Sequence, residues 1–257
     1  PGRYRRSGCV CPEMSWQWLD QEMDTFPSRK QDPYLISPEQ KDILRQQVFP
    51  YWCGCSLEEA FLSRLPQETA AVVVDTGIVD NDSKWRSGVG EITADYRDII
   101  FPKGFSGIKK EAEEYLEGLE RRFFYLAIIE TSQGMIELGE RYAQEAERLA
   151  RTESDPTRQA ELRQISQVCH RVPAQPPQTF WEAVQMVWFV QLGLILSENS
   201  LAFNLGRFDQ YMFPYYQNDI QAALLSPGLA QELIECLWIK LSEWIWVISR
   251  NTANYFA

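Results

Sequence analysis

The sequence holds a single histidine, His170, among its 257 residues. One histidine rules out a metal centre built from several imidazoles, and nothing around it supports a Ser-His-Asp triad. Basic residues are scarce as well, with 25 Lys and Arg against 36 Asp and Glu and a net charge of -11. Because phosphate binding needs a basic surface, nucleic acid is disfavoured as a partner. Polar chemistry must therefore rely on acids, arginines, amides or thiols.

Long hydrophobic runs are missing too. The most apolar stretch, residues 183–196, contains Gln185 and Gln191 and is shorter than the roughly 18 residues that span a bilayer. This stretch predicts a buried helix. The first ten residues have no apolar core and do not form a signal peptide, so we expect a cytoplasmic protein without a membrane partner. The terminal residues, Pro1 and Ala257, suggest a segment of a longer chain.

Six cysteines include two Cys-x-Cys pairs, Cys9 with Cys11 and Cys53 with Cys55. Two such pairs could together supply the four thiolates of a tetrahedral zinc site. Zinc ligands are usually separated by at least two residues, however, so free thiols are the preferred interpretation and no metal site is predicted. Cys169 precedes His170, but neighbours on a helix point about 100° apart, which favours a structural histidine over a Cys–His pair.

Apolar residues at three- and four-residue spacing predict helices along most of the chain. Capping boxes are predicted where Ser37 precedes Gln40 and where Ser56 precedes Glu59, and Asp155 is predicted to cap a third helix. The acidic runs on these helices are interpreted as solvated faces. The chain is predicted to form one mainly helical body without an obvious domain boundary.

Three details of this prediction can be checked directly. Residues 11–26 are expected to form a helix with Pro12 in its first turn. The β-branched residues 72–74 and 78–79 favour a strand or an irregular loop. Residues 107–150 are predicted as two helices with a break near Gly118, and residues 226–249 as one helix that includes Trp244 and Ile248.

The stretch WRSGVGEITADY, residues 85–96, raises the question of a functional loop. It lacks the third glycine of a dinucleotide-binding fingerprint and the Lys-Ser/Thr of a phosphate loop. Glu91 could line a pocket, together with Arg86 and the turn ENSLAFN that follows the buried helix. It could also be an acid at the start of the next helix, and the residues alone favour that interpretation.

Five motifs carry a resemblance to a known family: FPYW (49–52), GVGEITADY (88–96), QTFWEAVQMVWF (178–189), GRFDQYMFPYYQNDI (206–220) and ANYFA (253–257). They resemble the pyruvate formate-lyase domain of glycyl radical enzymes, and most closely its glycerol and diol dehydratase branch. The resemblance covers nearly the whole chain. It implies that residues 1–257 are the N-terminal portion of this domain. This fragment would be mainly α-helical, and it would form the helical N-terminal part of a ten-stranded α/β barrel.

The resemblance also implies a chemistry. The family comprises glycyl radical lyases and dehydratases and formate acetyltransferase-like enzymes, in which a glycyl radical oxidises a cysteine in the barrel. A partner activating enzyme that uses S-adenosylmethionine and an iron–sulfur cluster installs the radical. A small-molecule substrate, the remainder of the domain and a second subunit of a homodimer are the other implied partners. No cofactor is expected to bind to this segment itself.

The cysteine and glycine loops of the family lie beyond residue 257, and none of the six cysteines has a matching context. The resemblance therefore assigns no catalytic residue to this chain, and we expect it to be inactive alone. The alternative hypothesis is a non-catalytic truncated helical module that binds partner proteins.

What the chain does contain is one wall of the substrate pocket. Glycerol-type relatives carry His where this sequence has Glu91, and His-Ser where it has Leu201 and Ala202, which argues against a polyol substrate. Glu91 could face a cationic group, or Arg86 could bind an anionic substrate, so the sign of the substrate's charge stays open. The resemblance favours a pocket role for Glu91. The substrate-binding residues predicted in this way are Trp85, Arg86, Glu91, Leu201, Ala202 and Phe203.

Overall fold

A computed structural model describes residues 7–30, 33–75, 92–116, 121–198 and 203–255. Most of these residues are helical, which confirms the mainly α prediction. The helices are α1 Gln17–Glu22, α2 Pro38–Ile43, α3 Phe49–Trp52, α4 Leu57–Leu62, α5 Gln67–Asp75, α6 Phe101–Glu114, α7 Arg122–Thr152, α8 Pro156–Arg171, α9 Phe180–Glu198, α10 Phe208–Gln221, α11 Pro227–Ser242 and α12 Arg250–Tyr255. Short 3₁₀ or π turns occupy Phe26–Ser28, Leu44–Val48 and Tyr96–Ile100.

Two small sheets complete the described secondary structure. The strands are β1 Ser7–Cys9, β2 Ile92–Thr93, β3 Phe203–Asn204 and β4 Trp244–Trp246. Strand β1 pairs with β4 in parallel, with Ser7 opposite Trp244 and Cys9 opposite Trp246. Strand β2 pairs with β3.

The chain divides into two compact units. The first consists of Pro1–Ile92, Leu194–Phe203 and Glu243–Ala257. Its core is rich in aromatic residues and is built on short helices with β1 and β4. The buried members of this core are Trp18, Leu19, Met23, Phe26, Tyr34, Phe49 and Val247.

The second unit consists of Thr93–Gly193 and Asn204–Ser242. Helices α7 and α8 form an antiparallel pair in this unit: the Ser166 hydroxyl donates to the Ala143 carbonyl at 2.8 Å. Small residues allow this close approach, because a Cβ added at Gly139 would lie 2.5 Å from Cδ of Pro173. At Gly104 the backbone has a φ of +59° and the carbonyl oxygen of Ala174 leaves no room for a side chain. Glycine is therefore required at both positions.

Local sequence signals at the helix ends are confirmed. Both Ser37 and Ser56 form complete capping boxes, and the Asp155 side chain accepts a hydrogen bond from the Thr157 amide. The predicted buried helix is α9. It is long and apolar enough to cross a membrane, with a mean hydropathy of 1.4, but Phe189 and Met186 on it are fully buried within the protein.

Three predictions of secondary structure were wrong. Helix α1 begins only at Gln17, so Pro12 lies in a turn before it. Residues 72–74 belong to helix α5, where β-branched side chains are tolerated at a small cost, and residues 78–79 lie outside the described residues. Helix α11 ends at Ser242, and Trp244 lies in strand β4 because pairing with β1 competes with helix formation there. The predicted break at Gly118 falls outside the described residues, between α6 and α7.

Candidate functional site

In the sequence, the predicted substrate-binding residues precede or begin the two strands β2 and β3. Glu91 immediately precedes β2, and Leu201 and Ala202 immediately precede β3. The two strands come from distant parts of the sequence, yet they are hydrogen-bonded neighbours. The described residues that follow Glu91 and Ala202 in the sequence therefore belong to one pair of strands.

Among the predicted residues, only Phe203 is described: it is the first residue of β3 and is half-buried. Trp85, Arg86, Glu91, Leu201 and Ala202 lie outside the described residues.

The acid that begins the following helical turn is not Glu91. The Asp95 carboxylate accepts a hydrogen bond from the Asp98 amide at 2.9 Å and caps the turn Tyr96–Ile100. Strand β2 separates Glu91 from this cap. Glu91 itself lies outside the described residues, so both interpretations of this acid stay predictions.

An open pocket of about 290 Å³ lies within the second unit. The charged residues in its wall are Asp95, Arg97 and Arg207, all of which are exposed. Gly206 takes a φ of +65° at the turn into α10, which brings Arg207 to the pocket. The pocket can offer both signs of charge to a polar molecule. The sequence analysis noted the motif that contains Gly206 and Arg207 but did not predict this pocket.

Aromatic rings form the floor of this pocket. Tyr96 and Tyr211 stack with their centroids 5.1 Å apart. The buried Gln191 amide donates to the Tyr96 hydroxyl at 2.8 Å, and the Tyr211 hydroxyl donates to the Leu205 carbonyl at 2.8 Å. Burial raises the pKa of both phenols, so each remains neutral and acts through its hydrogen bond. The floor is therefore aromatic and uncharged.

Cys169 and His170 do not form a catalytic pair. The Cys169 thiol is buried, and burial raises its pKa to about 12. His170 is exposed and its Nδ1 lies 2.8 Å from Oε2 of Glu140. The structural interpretation of this histidine is the one that the geometry supports.

The two Cys-x-Cys pairs, Cys9 with Cys11 and Cys53 with Cys55, do not belong to β2 or β3. Cys11 is buried with its thiol 3.7 Å from the Leu196 carbonyl oxygen, and interaction with this thiol lowers the pKa of Cys9. Cys53 and Cys55 are exposed. Within the described ranges, no group of three or more His, Cys, Asp or Glu side chains is arranged to hold a metal ion.

Comparison with known proteins identifies the family. The model of the family described as "Pyruvate formate lyase-like" matches residues 2–257. The chain belongs to this family. An isethionate sulfite-lyase from Desulfovibrio desulfuricans is 34% identical over 99% of this chain and 32% of its own length. The members are glycyl radical lyases and dehydratases, so this is a family of enzymes.

Solved structures agree with this assignment. The glycerol-bound B12-independent glycerol dehydratase from Clostridium butyricum has a TM-score of 0.79 and 34% identity, covering 95% of this chain and 31% of that one. A glycyl radical enzyme from Archaeoglobus fulgidus has a TM-score of 0.75 and 30% identity, covering 93% and 32%. These matches confirm the predicted fold class. The chain spans about a third of the length of the relatives that it matches.

Proposed function

We propose that this chain is the N-terminal portion of a pyruvate formate-lyase domain in a glycyl radical enzyme. The whole enzyme would cleave a C–O or C–N bond of a small polar or charged substrate in the cytoplasm, or a C–S bond, the bond type that the name of the sulfite-lyase adds. The relatives named above, a sulfite-lyase and a dehydratase, both fall within this reaction class. The match to the family model over residues 2–257 is the single observation that carries the proposal, and the pairing of β2 with β3 supports only the proposed pocket wall.

This pairing supports a shared pocket wall through chain connectivity alone. Glu91 is bonded to the first residue of β2, and Ala202 is bonded to the first residue of β3. Paired strands lie about 4.8 Å apart and rise about 3.3 Å per residue. We therefore propose that the segments preceding the two strands contribute to one pocket wall. The half-buried Phe203 would add an aromatic face to the same wall.

Glu91 or Arg86 would bind the charged group of the substrate. A carboxylate in a partly dry pocket would attract an ammonium group, with Trp85 or Phe203 adding cation–π attraction. A guanidinium would instead bind a sulfonate or carboxylate through paired hydrogen bonds. The similarity to an isethionate sulfite-lyase, whose named substrate is a sulfonate, favours an anion. The chain is equally identical to a glycerol dehydratase, so overall similarity alone does not decide between an anionic substrate and an uncharged or cationic one.

The radical chemistry itself would come from outside this segment. A glycyl radical, installed by an activating enzyme that uses S-adenosylmethionine and an iron–sulfur cluster, would oxidise a cysteine of the remaining domain. Residues 1–257 would position the substrate and exclude water, without turning it over alone. The complete enzyme is proposed to form a homodimer.

The test is to express this chain joined to the C-terminal two thirds of the domain, together with its activating enzyme. We expect a glycyl radical signal by electron paramagnetic resonance and turnover of a charged substrate. Glu91→Gln should then raise KM for a cationic substrate about 10- to 100-fold, or Arg86→Gln should do so for an anionic one. Glu68→Gln changes an exposed acid on α5 and serves as the matched control.

The assignment fails if no radical forms while the same activating enzyme loads an isethionate sulfite-lyase in parallel. If the radical forms but neither substitution changes any KM, the radical assignment stands and the proposed pocket wall is wrong.

A further inference from the structure

Aromatic side chains are exposed together where α6 ends and α7 begins. We call residues 113–115 and 121–125 the α6–α7 corner. Phe123 is 87% exposed, Phe124 61% and Tyr115 57%. Single exposed apolar residues are ordinary on a protein surface, but adjacent large rings mark a contact surface. The corner lies within the second unit.

The rings are held in an ordered arrangement. Tyr115, just after α6, stacks on Tyr125 of α7 with centroids 5.6 Å apart and an interplanar angle of 21°. Phe124 meets Tyr125 edge to face at 5.5 Å. Because these contacts already restrict Tyr115 and Phe124, a partner would lose less side-chain entropy by binding them.

Charges of both signs flank the rings. Arg121 and Arg122 lie on the α7 side and are exposed, whereas Glu113 and Glu114 lie on the α6 side and are also exposed. Nζ of Lys109 lies 3.9 Å from Oε1 of Glu113, which makes a loose ion pair. Glu114 is the last residue of α6. A surface with a basic side, an acidic side and an apolar centre is complementary to itself under a two-fold rotation.

We propose that the α6–α7 corner is a contact surface for a second copy of this chain. In the two-fold arrangement, Phe123 and Phe124 of the two copies pack together at the axis. Arg122 of each copy faces Glu114 of the other. The proposal rests on the homodimer part of the proposed function and adds to it the location of the contact.

Charge complementarity decides in favour of a second copy. Each chain carries a net charge of -11, so two copies repel one another unless opposite charges meet at the contact. The corner provides that local pairing through its arginines. Aromatic and arginine side chains also dominate the energetics of protein contacts.

The experiment measures the mass of the 257-residue chain by sedimentation equilibrium over a range of concentrations. We expect a reversible dimer with twice the 29.9 kDa monomer mass. Phe123→Ser with Phe124→Ser should weaken the dimer at least about 100-fold. Leu149→Ser, which changes a 40% exposed residue further along α7, is the matched control and should change it less than about 2-fold.

Exchanging the charges of Arg122 and Glu114 distinguishes this specific contact from nonspecific association. Arg122→Glu alone should weaken the dimer about 10-fold, because it places two carboxylates face to face. Adding Glu114→Arg should restore the affinity to within about 3-fold of the original. Circular dichroism checks that each variant remains folded.

A monomeric chain at high concentration overturns the proposal. So does a dimer that the two serine substitutions leave unchanged, which would point to apolar surface that the rest of a longer protein covers. Neither result affects the radical assignment, because the experiment measures mass and not radical formation.

Discussion

The two units of the chain are stabilised by different means. In the first unit, helices of six residues are held by buried polar side chains that reach across long stretches of sequence. Arg29, for example, donates to the Ile248 carbonyl at 2.7 Å. In the second unit, α7 runs for 31 residues and packs on α8 through glycine and alanine. Short helices are unstable alone, so their positions depend on such long-range contacts, whereas a long amphipathic helix needs only a close-fitting face.

The largest effect should come from the buried charge of the first unit. The Arg29 side chain is 3% exposed, pairs with Glu22 and lies 4.4 Å from the centroid of Phe26. Glu22 also accepts from the Arg250 amide at 2.8 Å. Arg29→Met should reduce the free energy of unfolding by about 3–5 kcal/mol, because it leaves the Glu22 carboxylate without its positively charged partner.

Hydrogen exchange can locate this loss. Amides of residues 247–253 should lose protection in the Arg29→Met variant, while amides in the middle of α7 keep theirs. Arg29→Lys, which keeps the charge but not the forked geometry, should have an intermediate effect. A loss below about 1 kcal/mol would show that the first unit does not depend on this buried contact.

The next effect tests the close fit of the second unit on a single helix. Gly139 and Gly134 both lie in α7, but only Gly139 meets a neighbour: an added Cβ would lie 2.5 Å from Pro173 and 3.0 Å from the Val172 carbonyl oxygen. Gly139→Ala should cost about 1–2 kcal/mol in unfolding free energy, since overpacking outweighs the gain in helix propensity.

Gly134→Ala is the matched control. No atom lies within 4 Å of a Cβ added there, so alanine should stabilise α7 by about 0.5–1 kcal/mol. Urea denaturation measures both changes. Equal effects of the same sign would mean that the α7–α8 contact does not need glycine.

The same contrast explains which features the sequence could predict. Capping boxes at Ser37 and Ser56 depend on residues three positions apart, and both were predicted correctly. Residues 243–249 fit a helical pattern, yet 244–246 pair with β1 from the other end of the chain. Gly8 permits this pairing, because a Cβ there would lie 2.5 Å from Cγ2 of Val247. No local pattern contains that information.

The candidate site follows the same rule. A pocket role for Glu91 and Phe203 was predicted from the resemblance to a family, and the pairing of β3, which begins at Phe203, with β2 could not be derived from spacing. The pocket at Arg207 was missed because it needs Asp95 and Arg97, which are far away in sequence. Both features depend on long-range contacts that only the fold supplies.

The smallest effect concerns surface ion pairs, which also differ between the units. In the second unit several lie within one helix, as for Arg148 and Glu145, although Arg171 of α8 also lies 3.3 Å from Glu182 of α9. In the first unit Arg45, beyond α2, reaches Asp24, which follows α1, at 2.7 Å, and Lys41 reaches the same carboxylate at 2.8 Å. Hydrogen bonds from Arg45 and then Lys41 lower the pKa of Asp24 from 3.8 to about 2.

This lowered pKa gives the pair a defined pH dependence. A carboxyl group whose pKa is lower in the folded state stabilises the fold above pH 3.8, and that contribution disappears as the pH falls through about 2. Arg45→Gln should move the pKa of Asp24 back toward 3.8, and Lys41→Gln should move it less. Carboxyl carbon chemical shifts, followed by NMR during an acid titration, measure both. An unchanged pKa in the Arg45→Gln variant would mean that these exposed charges do not link α1 to α2 in solution.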